Sequence, residues 1–119
     1  YELFMAESEV IRRLAAVRAT VVIGRLAFQV LHDHPARVSV YFHAPLDFRV
    51  ERYAQLHNTT PEEAHKAIVK CDKQRKHYCR TFAGVDPSDA RNYDLSIDTA
   101  RIGSLEKAVE LVLSYIQMR

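Results

Sequence analysis

Apolar positions along the chain switch between a helical and an extended period, and the switches mark out a mixed α/β order. Residues 6 to 18 carry Val10, Ile11, Leu14, Ala15 and Val17 at helical spacing with Arg12, Arg13 and Arg18 between them, which predicts an amphipathic helix ending near Ala19. The β-branched run Thr20-Val21-Val22-Ile23, closed by Gly24, predicts a strand covered on both faces. Leu26 to Leu31 predicts a short helix stopped by His34-Pro35. Val38 to His43 predicts a second strand, and Pro45 opens a helix through His57 with an apolar side from Leu46, Phe48, Val50, Tyr53 and Leu56.

Thr60-Pro61-Glu62-Glu63 is the sharpest local signal. Thr60 can cap a helix, Pro61 fits its first position and Glu63 can return a bond to the cap residue. That helix is expected to reach about Thr81, buried on Ala64, Ala67, Ile68, Cys71 and Tyr78. Gly84, Pro87, Ser88 and Asn92 give residues 83 to 92 a turn-rich composition. A third strand over Tyr93 to Ile97 follows, with Asp98 as a cap for the turn into Arg101-Ile102-Gly103. A last helix starts after Gly103-Ser104 on Leu105, Ala108, Val109, Leu111, Val112, Tyr115 and Ile116. Short strands separated by helices point to an α/β fold with a parallel sheet and crossover connections.

With 119 residues, 48% of them hydrophobic, the chain has the size and apolar content of one packed domain spanning 1–119. A formal net charge of +2 selects no class of partner. The distribution is more informative, because residues 66 to 80 hold six basic side chains (Lys66, Lys70, Lys73, Arg75, Lys76, Arg80) and one acidic, Asp72. These bases cover several sides of a helix, and no aromatic platform is interleaved with them, which argues against a nucleic-acid surface. Cys71 and Cys79 are separated by roughly 12 Å along a straight helix, too far for a disulfide. Two free thiols fit a reducing, cytoplasmic setting. No apolar stretch approaches the roughly 18 residues of a membrane span.

Gly24-Arg25 directly follows the first predicted strand, where ligands of open parallel sheets collect. Its functional reading is a close backbone approach with an arginine fork for phosphate; its structural reading is a tight turn. Arg49 and Arg52 lie three residues apart on one helix and can clamp successive phosphates, or form a solvated face with Glu51. His32-Asp33-His34 sits at a helix end where adjacent residues seldom converge on one ion, so no metal site is read from it. Cys71 reads as core, and Cys79 beside Arg80 has only generic thiolate stabilisation.

In order, Val21-Val22-Ile23-Gly24-Arg25, Val40-Tyr41-Phe42-His43-Ala44-Pro45-Leu46 with Arg49 and Arg52, Asp72-Lys73 with Arg75, Tyr78 and Phe82, Asn92-Tyr93-Asp94-Leu95, Ile97-Asp98-Thr99 and Val112-Leu113 resemble the cytidylate-kinase-like family of P-loop phosphotransferases. The resemblance runs from about Ile11 to Ile116. It implies a P-loop NTPase-like fold, a three-layer arrangement of parallel sheet and flanking helices that is incomplete at the N-terminus. It also implies a lid region over about 46–82, with ATP and magnesium as donor and cofactor and a nucleoside monophosphate such as CMP as acceptor. Gly24, Arg25 and Asp72 become acceptor-side residues, and Arg49, Arg52, Arg75 and Arg80 the arginines that meet the phosphates.

Two departures bear on that expectation. Cytidylate kinases usually have aspartate after the Gly-Arg pair, where this chain has Leu26, which leaves the acceptor base open. The glycines are Gly24, Gly84 and Gly103, so no Gly-x-x-x-x-Gly-Lys-Ser/Thr loop is present to supply the donor-phosphate cradle. The leading expectation is therefore part of a kinase, inactive by itself. The alternative is a non-catalytic nucleotide-binding or regulatory domain of the same fold, with a homo-oligomer covering the sheet edge.

Overall fold

The computed structural model describes residues 1–24 and 26–119. Helix α1 (Glu2–Val17) starts closer to the N-terminus than the periodicity of residues 6 to 18 indicates, because an aromatic cluster anchors its first turns. Phe4 stacks on Phe82 at 5.1 Å between ring centroids and meets Tyr78 edge-on at 6.2 Å. The cluster ties the start of α1 to the end of a distant helix, burial of a kind that helical period alone does not encode. Helix α2 (Ala27–Val30) is a single turn. Its preceding residue Leu26 is buried at a left-handed φ of 56°, a conformation that a branched side chain adopts only when its surroundings hold it there.

Strand β1 (Val40–His43) and strand β2 (Leu95–Asp98) form a parallel pair in the register Val40↔Leu95 to His43↔Asp98. Among the described residues the sheet has these two strands. The first expected strand, at residues 20–23, is corrected: the segment joins no ladder among the described residues, with Val21 91% and Ile23 90% exposed. A strand is held by a neighbour's ladder, and no described segment offers one here. Instead the Thr20 hydroxyl donates to the Arg18 carbonyl at 3.1 Å, folding back on the end of α1. Val22 turns the other way, toward Val10 and Ile11. Of the three apolar residues of the segment, Val22 alone is half-buried.

Between β1 and β2 lie helix α3 (Leu46–His57) and helix α4 (Pro61–Ala83), packed as an antiparallel hairpin. The Thr60 cap forms as expected, accepting from the Glu63 N–H at 3.2 Å. The Glu63 carboxylate is taken by the Thr59 hydroxyl rather than returning to the cap residue. Gly84 ends α4 at φ 65°, a left-handed position that glycine adopts without cost. Ala64, Ile68 and Cys79 are the buried side of α4, whereas Cys71 is only half-buried, so the core cysteine is Cys79. Helix α5 (Leu105–Met118) starts on Ser104, whose hydroxyl accepts from Lys107 at 3.2 Å.

The Cα radius of gyration is 15.8 Å, against about 13.5 Å for a compact chain of this length. This openness fits the many exposed apolar side chains, including Phe42 on β1 and Val109, Leu113 and Ile116 on α5. Helices flank a small parallel sheet, and the described residues do not build a third layer. No helix of the described residues is long and apolar enough to cross a membrane.

Candidate functional site

The carboxyl ends of β1 and β2 lie side by side, and α3 begins three residues beyond β1. The Arg49 N–H bonds back to the Pro45 carbonyl at 3.1 Å, so Arg49 belongs to the first turn of α3, at that end of the sheet. Its guanidinium reaches across the hairpin to Asp72 of α4 in a two-pronged pair, Nη1 to Oδ2 at 2.8 Å and Nη2 to Oδ1 at 2.7 Å. The hydrogen bonds to Arg49 hold the Asp72 carboxyl below the usual carboxylate range, with Arg75 adding attraction. Reciprocally, Asp72 raises Arg49 above its ordinary value, with a smaller contribution from Tyr41. Arg49, Asp72, Arg75 and Tyr41 therefore share one neighbourhood.

The other residues expected at the site are placed differently. Arg52 is exposed, and among the described residues it makes no ion pair. Arg80 and Lys76 draw toward Asp86, whose carboxyl is held below its ordinary value mainly by the Ser88 N–H. Arg75 and Arg80 are separated by roughly 7.5 Å along the helix axis, so the basic residues of α4 split into two zones. Gly24 adopts φ 74° and is exposed, with nothing near the position a Cβ would take. Arg25 lies outside the described residues. Cys79 is buried, and burial pushes its thiol up, which makes it a poor nucleophile.

An aromatic column runs along the same face of β1. Phe28 of α2 packs on Tyr93 at 5.2 Å, Tyr93 stacks on Tyr41 at 4.9 Å and 12°, and Tyr41 stacks on His43 at 5.6 Å and 28°. Burial pushes the Tyr93 phenol up to about 12, and its hydroxyl donates to the Pro87 carbonyl. Sequence reading missed this column, since its only signal is the alternation of Tyr41 and His43 on one side of a strand. At the loop after β2, Asp98 accepts from the N–H groups of Ala100 at 2.9 Å and Arg101 at 3.1 Å, the cap expected from sequence.

At the opposite end of the sheet, Asp94 gathers partners that sequence reading did not single out. It accepts from the Tyr115 hydroxyl at 2.6 Å, from Arg119 at 3.1 Å and from the Ser39 N–H at 3.4 Å, with Arg37 at 4.0 Å. This centre fastens the end of α5 to the amino ends of both strands.

The sequence profile described as the Cytidylate kinase-like family matches residues 1–101. The chain belongs to the cytidylate kinase-like family. It is 35% identical over 99 residues to a Methanopyrus kandleri protein named cytidylate kinase, covering 76% of this chain and 51% of that protein. A Pyrococcus furiosus protein of the same name is 38% identical over 89 residues, covering 73% and 45%. The chain spans about half the length of these curated relatives. A crystal structure of an uncharacterized protein from Eubacterium ventriosum superposes with a TM-score of 0.90 at 24% identity, over 98% of this chain and 65% of that one. The fold is therefore shared with a solved protein of greater length.

Family membership raises the question of ATP and magnesium. Among the described residues no three of His, Cys, Asp and Glu converge to hold a cation, and no glycine-rich loop supplies phosphate donors. An open recess of about 900 Å³ runs along the α3–α4 hairpin between Leu46, Val50, Glu51, Pro61, His65 and Lys66. None of Arg49, Arg52, Arg75 and Arg80 lines it.

Proposed function

We propose that this chain forms the acceptor and lid side of a nucleoside monophosphate kinase, helping to move the terminal phosphoryl of ATP to CMP or a similar nucleotide. The observation that carries the reading is the two-pronged Arg49–Asp72 pair, flanked by Arg75, beside the carboxyl ends of two parallel strands. A carboxylate and a phosphate present the same paired oxygens to a guanidinium fork. Asp72 thus holds Arg49 in the orientation that a phosphate oxygen pair needs. Arg52 and Arg80 are exposed further along the hairpin, where they add compensating charge as a phosphoryl group moves.

In this reading Arg49 and Arg75 orient the acceptor phosphate, and Asp72 keeps Arg49 from folding onto solvent when the site is empty. The donor phosphates and magnesium require residues outside the set described above. The 119 residues alone therefore bind a nucleoside monophosphate and do not turn it over. Calorimetric titration with CMP, AMP and ATP tests this directly: the reading expects a monophosphate to bind and Arg49→Ala to abolish most of that binding. A chain that binds none of the three contradicts it, and steady ATP-to-CMP turnover at ordinary enzyme rates contradicts the expected inactivity.

A second reading is supported by the exposed Val21 and Ile23. In it the chain is a non-catalytic nucleotide-binding or oligomerisation domain of the same fold, the apolar run being covered by another copy. Sedimentation of the purified chain separates the two, since a dimer that Val21→Lys dissolves favours the second.

A further inference from the structure

The aromatic column Phe28–Tyr93–Tyr41–His43 is closed at one end and open at the other. Phe28 is half-buried, whereas His43 is exposed and is the last residue of β1. The backbone beneath the ring is pinned: the His43 carbonyl accepts from the Thr99 N–H at 2.8 Å and from its hydroxyl at 3.3 Å. One face of the imidazole rests on Tyr41. The ring is thus held flat at the sheet end where Arg49 begins its helix.

Resting on the nucleotide-binding reading above, we propose that the His43 ring is the stacking platform for the nucleobase of a bound nucleotide. A planar ring already supported on one face loses little freedom when a second ring stacks on the other. Stacking accepts any base, because every base has a π-face. Arg49 at the same end supplies the complementary charge, so one nucleotide engages the site through its base at His43 and its phosphate at the arginines. The platform explains why an imidazole stands exposed at the end of a column of otherwise half-buried rings.

The test is an NMR titration of the full chain with CMP, with ATP and with ribose 5-phosphate, repeated for His43→Ala and His43→Phe. Removing the ring in His43→Ala is expected to weaken a base-bearing ligand about tenfold. His43→Phe keeps a flat ring and is expected to stay within about twofold of the parent. Ribose 5-phosphate has no base, and its affinity is expected to be the same in all three proteins, which also shows that the variants are folded. A loss confined to CMP assigns the platform to the acceptor, and one confined to ATP assigns it to the donor. Equal CMP and ATP affinities in parent and His43→Ala overturn the platform alone. Equal losses in His43→Phe and His43→Ala, or a matching loss for ribose 5-phosphate, overturn it as well. If the parent chain binds none of the three ligands, the nucleotide-binding reading fails and the platform falls with it.

Discussion

Among the carboxylates that pair with arginines, Asp94 and Asp72 do so in opposite ways. Asp94, with 14% of its side chain exposed, sits at the amino end of the sheet and satisfies Tyr115, Arg119, Ser39 and Arg37 together. Asp72, 41% exposed, spends both oxygens on one partner, Arg49. A many-partnered, nearly dry carboxylate is costly to remove because several donors lose their acceptor at once. A wetter single pair contributes little to stability and can exchange its partner for a ligand. The first geometry suits a lock between α5 and the sheet, and the second suits a place-holder for phosphate.

The sharpest way to break this comparison is to delete each carboxylate. Asp94→Ala is expected to destabilise the chain by roughly 3 kcal/mol, and Asp72→Ala by about 1 kcal/mol or less, both read from urea unfolding. Equal losses would remove the distinction. Next in size, Arg49→Ala is expected to weaken CMP binding by about tenfold or more, equivalent to at least roughly 1.4 kcal/mol, while costing little stability. A calorimetric titration beside the unfolding curve checks both halves of that statement.

Acid and alkali should also separate the two ends. The folded Asp72 carboxyl is lowered from its ordinary value, so the stability it contributes is present above the unfolded value and is lost as pH falls through the lowered folded one. The α3–α4 brace therefore weakens only on acidification below the usual carboxylate range. Near Asp94 the sign is reversed. The hydrogen bond to Asp94 raises the Tyr115 phenol, and burial pushes the neighbouring Tyr93 up to about 12. Their contribution is complete below the ordinary tyrosine value and is lost as pH rises through the raised ones. Near-ultraviolet absorbance during alkaline titration should show late tyrosine ionisation, and Tyr93→Phe should remove its last step while leaving the Tyr115 contribution. The smallest expected effect is at the unpaired segment: Ile23→Lys should change stability by no more than about 0.5 kcal/mol, since the side chain is already in solvent.

Sequence made some of this legible because the controlling interactions are local. The Thr60 cap, the Ser104 start and the Asp98 turn each depend on residues within four positions. Strands β1 and β2 were also legible, each expected to begin two residues before its observed start. The strand expected at 20–23 was not, because a strand needs a partner and composition reports only that a residue is fit to be covered. Arg49 and Asp72 were each singled out, but their pairing was not. It spans 23 positions and depends on how α3 and α4 rotate against each other. Asp94 offered no local sign at all, since its partners come from residues 37, 39, 115 and 119.

The central claim is that the carboxyl end of the sheet is the ligand end and the amino end is structural. Mapping backbone amide shifts on adding CMP to the 119-residue chain tests it most directly. The account predicts that Thr99, Arg49, Asp72 and Arg75 move, while Ser39, Asp94 and Tyr115 stay where they are. Shifts centred on Ser39, Asp94 and Tyr115, or no shifts at all, would contradict it.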